Sequence, residues 1–62
     1  MKYSELIREI EEAGCYLKRH GSNHDVYYSS ITGKHFTIPR HHSAEVPKGT
    51  LNSIRKSAGV KK

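Results

Sequence analysis

Five histidines, four tyrosines and eleven Lys or Arg side chains occur in a chain of 62 residues. The most suggestive arrangement is "HGSNHDVYY" over residues 20–28, where His24 follows a Gly-Ser-Asn run. An imidazole titrates near pH 6.5 and so exchanges protons at neutral pH. Beside RNA it could take the proton of a ribose 2′-hydroxyl, whose oxygen then attacks the adjacent phosphorus without a metal. Acid–base help of this kind accelerates a reaction roughly 10²–10⁴-fold. Gly21 would let a phosphate approach the backbone, and the Ser22 hydroxyl could donate to a phosphate oxygen. Lys18, Arg19, Lys34 and Arg40 could offset negative charge building at phosphorus. His41 and His42, further along, could return a proton or touch phosphate, and Lys48 could meet the RNA backbone. The spacing alone suits a surface histidine beside a turn better than a catalytic one.

Other chemistry is less well supported. Cys15, His20, His24, His35, His41 and His42 are all metal-ligating types. Yet the chain has no C-x-x-C, no helical H-x-x-x-H and only one thiol, so no structural metal is expected. "KGT" at residues 48–50 lacks the spacing of a nucleotide-binding loop, and no cofactor is expected. Tyr16 and Tyr27 are expected on an open sheet face, where bases could stack on them.

Charge narrows the choice of partner. The formal net charge is +5 and the sequence pI is near 9.6. The acids gather early, at Glu5, Glu9, Glu11 and Glu12; from Lys18 onward only Asp25 and Glu45 are acidic. Such asymmetry points to a ligand carrying phosphates. No apolar run approaches the ~20 residues of a membrane span, so no membrane partner is expected. The charged opening does not read as a signal peptide. A lone cysteine fits a reducing, cytoplasmic setting. The length suits one domain over residues 1–62, with a core supplying about 3–5 kcal/mol.

The elements that must position these side chains can be read from periodicity. Tyr3, Leu6, Ile7, Ile10 and Ala13 recur at helical spacing, giving a helix over residues 4–13 capped by Ser4 and closed by Gly14. "CYLKRH" alternates, with Cys15 and Leu17 inward and Tyr16, Lys18 and His20 outward. "HDVYYSS" is a second strand with Val26 and Tyr28 inward, a parity that would also turn His24 inward unless the strand starts after it or bulges. Residues 32–34 mark a hairpin, and "HFTIP" is a third strand with Phe36 and Ile38 inward. Leu51, Ile54 and Ala58 form the stripe of a last helix, with Pro47 in its first turn and Gly59–Val60 ending it. The expected fold is an α+β two-layer sandwich of order α-β-β-β-α, with two helices on one face of an antiparallel meander.

These segments resemble a known family. "GSNHDVYY", "TGKHFTIPRH" and "PKGTLNSIRKSAGV" follow, in order and over nearly the whole chain, the pattern of HicA toxins from toxin–antitoxin pairs. The resemblance implies a double-stranded-RNA-binding-domain-like fold, ribosome-independent cleavage of mRNA, and a HicB-type antitoxin that covers the active surface. It places the family's catalytic histidine at His24, the Gly-Ser turn at Gly21 and Ser22, and the Pro-x-His segment at Pro39 and His41. Many members carry histidine where this chain has Asn23, and a bulky aromatic where it has Cys15. The runner-up expectation is a non-catalytic RNA-binding module of the same fold.

Overall fold

The computed structural model describes residues 1–60. Its elements run α1 (Tyr3–Ala13), β1 (Cys15–His20), β2 (His24–Ser29), β3 (His35–Pro39) and α2 (Lys48–Ala58). The strands form one antiparallel sheet in the order β1-β2-β3. This is the expected α+β meander with two helices, and it accords with the double-stranded-RNA-binding-domain-like reading.

Helix α1 begins one residue earlier than expected, with Lys2 rather than Ser4 at the N-cap. Two devices replace the serine cap. The Lys2 N–H donates to Glu5 Oε1 at 2.7 Å, which is one arm of a capping box. The Tyr3 and Ser4 N–H groups donate to the carbonyls of Ala44 and His42, each at 3.0 Å. Donors that a helix start leaves without partners are thus taken up by the loop joining β3 to α2. Gly14 ends α1 at φ 114°, the left-handed region that glycine enters without a Cβ penalty. Helix α2 starts after Pro47, which is its N-cap rather than a first-turn residue. At its other end the Val60 N–H reaches the Arg55 carbonyl at 3.0 Å and Gly59 reaches Lys56 at 3.3 Å. These bonds form the expected Schellman ending.

The sheet departs from the expected facing of its side chains in two places. In β2 the buried residues are Asp25, Tyr27 and Ser29, while Val26 and Tyr28 lie half-buried on the other face. The expectation of Val26 and Tyr28 in the core, and of Tyr27 in the open, is therefore corrected. Antiparallel pairing is the reason: Tyr27 stands opposite Phe36 and Asp25 opposite Ile38, so these four side chains share a face. The Tyr27 and Phe36 rings stack there at 6.2 Å. A one-residue change of register moves every side chain to the other face.

The second departure is in β1. Leu17 pairs with Tyr27 but Arg19 pairs with Val26, so Lys18 is an extra, bulged residue. Past the bulge, parity reverses. Arg19 joins the open face, and His20 goes to the helix side opposite Asp25. Leu17, expected inward, remains 37% exposed.

Tyr3, Leu6, Ile10, Cys15, Tyr27, Ile38, Val46, Ile54 and Ala58 form the core between sheet and helices. Small side chains bring the C-terminal end of α2 close to the sheet. Ser29, fully buried, donates from Oγ to the Ala58 carbonyl at 2.7 Å and accepts the N–H groups of Ile31 and Thr32, each at 3.2 Å. Cys15 Sγ lies 3.8 Å from the same carbonyl. The two helices are joined by Arg55, whose Nε and Nη2 meet Glu9 at 2.8 and 2.9 Å. Both side chains are largely shielded from water, a setting where a two-point guanidinium–carboxylate contact is strong.

Candidate active site

His24 is the first residue of β2 and is exposed on the face away from the helices. Among the described residues no hydrogen bond or ion pair occupies its ring. Its backbone, by contrast, is tightly held. The Gly21 N–H donates to the His24 carbonyl at 2.7 Å, and the Arg40 N–H donates to the Asn23 carbonyl at 3.3 Å. A Cβ added at Gly21 would overlap the His24 carbonyl oxygen. Gly21 does not have a positive φ, so glycine is needed here for space and not for backbone conformation.

A buried carboxylate braces this turn from the helix side. Asp25 Oδ1 accepts Arg40 Nε at 2.7 Å and lies 3.0 Å from His20 Nδ1. The same guanidinium donates through Nη2 to the Gly21 carbonyl at 2.6 Å. Arg40 therefore links the end of β3, the start of β2 and the turn between β1 and β2. Its hydrogen bond holds the Asp25 carboxyl below the usual carboxylate range; burial opposes this, and His20 adds to it.

This gives a pH prediction. A carboxylate whose folded-state pKa is lowered contributes stability that is present above its unfolded pKa, near 4, and is lost as pH falls through the folded value. Arg40→Gln removes the main cause. In urea unfolding followed against pH, the variant should be less stable than the parent chain at neutral pH. The gap should close as the solution is acidified below about pH 4. A gap that stays constant with pH would show that Asp25 and Arg40 are not coupled.

The other expected site residues divide into groups. Lys18 and Arg19 are both on the open face because of the bulge, and Lys18 Nζ stands 5.9 Å from the Tyr28 ring centroid. Gly21 and Ser22 lie in the turn that leads into His24. His41 is exposed, two residues beyond Pro39, the cross-strand partner of His24. Its loop is tied to α1 through the His42 and Ala44 carbonyls. Lys34 and Lys48 are not gathered with these. Lys34 sits at the far end of the β2–β3 hairpin, where its carbonyl accepts the Ser29 N–H. Lys48 opens α2, in the helical layer. Asp25 and His20 were not expected at the site. The signal for them was an acidic side chain within a strand, which requires a cationic partner when buried.

The family model described as the HicA toxin of bacterial toxin–antitoxin systems matches residues 3–60. The chain belongs to the HicA toxin family. A curated relative from Photorhabdus laumondii subsp. laumondii, described as probable mRNA interferase HicA 2, is 38% identical over 61 residues. That alignment covers 98% of this chain and 100% of the relative. No solved structure matches. HicA membership brings with it a cognate antitoxin. Among the described residues no helix is long and apolar enough to cross a membrane.

Proposed function

We propose that this chain is a cytoplasmic endoribonuclease that cleaves mRNA independently of the ribosome by histidine acid–base chemistry. The observation that carries this reading is His24. It is solvent-facing and unengaged on a rigidly held backbone, and it shares its sheet face with Lys18 and Arg19. The name of the Photorhabdus relative supports the same activity.

His24 takes the 2′-hydroxyl proton. The 2′-oxygen forms a bond to phosphorus as the bond from phosphorus to the 5′-oxygen breaks, leaving a 2′,3′-cyclic phosphate on one fragment. The departing 5′-oxygen takes up a proton and leaves as a hydroxyl. His41 is the residue assigned to supply that proton, a reading supported by its position two residues past Pro39, the Cα partner of His24. Arg19 offsets the charge at phosphorus, with Lys18 and Ser22 contacting the RNA backbone. Arg40 acts mainly through the turn it braces. A HicB-type antitoxin with an acidic docking surface would be drawn to the same cationic face and would cover it.

The purified chain incubated with RNA in EDTA should yield fragments ending in 2′,3′-cyclic phosphate and 5′-hydroxyl. Salt-sensitive binding without any cleavage would instead make it a non-catalytic RNA-binding module.

A further inference from the structure

Three rings form a row across the open face, one from each strand. Tyr16 in β1 is the Cα partner of Tyr28 in β2, which is the partner of His35 in β3. Their centroids are 5.5 and 4.9 Å apart, with interplanar angles of 57° and 56°. The core does not use this row. Tyr16 is 48% exposed and His35 is exposed, while Tyr28 is half-buried between them. The Lys18 ammonium stands over the central ring.

We propose that Tyr16, Tyr28 and His35 form a stacking ledge for bases of single-stranded RNA next to the scissile bond. The ledge rests on the ribonuclease reading above and adds to it a subsite with its own ligand chemistry. Tyr28 lies four residues from His24 along β2, or about 13 Å at the rise of a strand. Between them on the same face lies the Arg19–Val26–Thr37 row. An RNA strand following β2 with a phosphodiester at His24 would pass its backbone over Arg19 and bring a neighbouring base to Tyr28. Stacking tolerates any base, since each offers a π-face. The Lys18 ammonium can serve both the Tyr28 ring and an adjacent phosphate. No acidic residue belongs to the row, which favours a polyanionic ligand.

The test uses the full chain and a 2′-O-methyl RNA oligonucleotide of about ten nucleotides, which binds but lacks the attacking hydroxyl. Affinity is read by fluorescence anisotropy at fixed low salt. Tyr16→Leu should weaken binding roughly tenfold, the lower part of the range for losing one stacked base. Tyr16→Phe, which keeps the ring, should stay within about twofold of the parent. With an abasic oligonucleotide the two variants should bind alike. Urea unfolding checks that Tyr16→Leu is folded; should it not be, Tyr28→Phe against Tyr28→Leu repeats the comparison. The ledge is overturned if Leu and Tyr bind equally, or if Phe loses as much as Leu. It is also overturned if Tyr16→Leu weakens only the antitoxin complex, for the row then serves a protein. Failure of the parent chain to bind or cleave any RNA would remove the ribonuclease reading along with the ledge. Cleavage and binding by the parent with no effect at Tyr16 would remove the ledge alone.

Discussion

His24→Ala should lower RNA cleavage by about 10²–10⁴-fold, the usual contribution of a positioned acid–base group. It should leave RNA affinity and stability nearly unchanged. The side chain is exposed, and among the described residues it has no partner to lose. Its backbone carbonyl, which holds the turn through the Gly21 N–H, is retained in the variant. A surface substitution of this kind usually stays within about 0.5 kcal/mol of the parent. Single-turnover cleavage in EDTA, run beside urea unfolding of the same samples, separates the two effects. Undiminished cleavage by a folded His24→Ala chain would remove His24 from the chemistry.

Gly21→Ala should do the opposite, harming structure and catalysis together. The new methyl would meet a backbone carbonyl, which unlike a flexible side chain cannot swing aside. The Gly21–His24 hydrogen bond must open, and the Arg40 contact with the Gly21 carbonyl must shift with it. Forcing a group into an occupied space costs about 1–3 kcal/mol, a large share of what a core this small supplies. For chemistry, a misplacement of about 1 Å is worth roughly 10²-fold, so cleavage should fall by that order even in the fraction that folds. The unfolding midpoint and the cleavage rate should both drop, with the oligonucleotide affinity falling less. A Gly21→Ala chain with the parent's rate would mean that the turn does not set the position of His24.

How much of this was visible in the sequence depends on the element. Both helices, their glycine endings and all three strands were legible because each rests on local signals: an apolar stripe, a left-handed glycine, a Pro that cannot continue a ladder. The face of β2 was not. A hairpin turn at residues 32–34 pairs residue 31 with residue 35, which sets Tyr28 opposite Ile38 and draws Val26 and Tyr28 inward. In the structure the loop is residues 30–33, closed by Ser29 and Lys34. The cross-strand sum becomes odd, and Tyr27 turns inward with Phe36. Neither "SSITGK" nor strand propensity distinguishes the two loops. What decides between them is tertiary: Ser29 is small enough to admit the end of α2 and carries the hydroxyl that its Ala58 carbonyl needs.

The bulge at Lys18 left a fainter trace. Unbroken alternation would place Arg19 on the same side as Cys15, beneath the helices, where a charge is costly without a partner. That conflict was the available warning. The β2–β3 register, not the bulge, resolves the position of His24, which does share a face with Val26 and Tyr28, the face that remains open. The site is thus legible as a set of residue types around one turn, whereas Asp25's part in it depends on side chains brought together from β1, β2 and the end of β3.

The partners of α1 have a consequence for biosynthesis. The first turn of this helix is held by carbonyls of residues 42 and 44, and Glu9 is held by Arg55. While a ribosome is still adding those residues, the helix has nothing to dock against, and contacts so distant along the chain close late. Nascent polypeptide is therefore without a completed sandwich during most of its own translation.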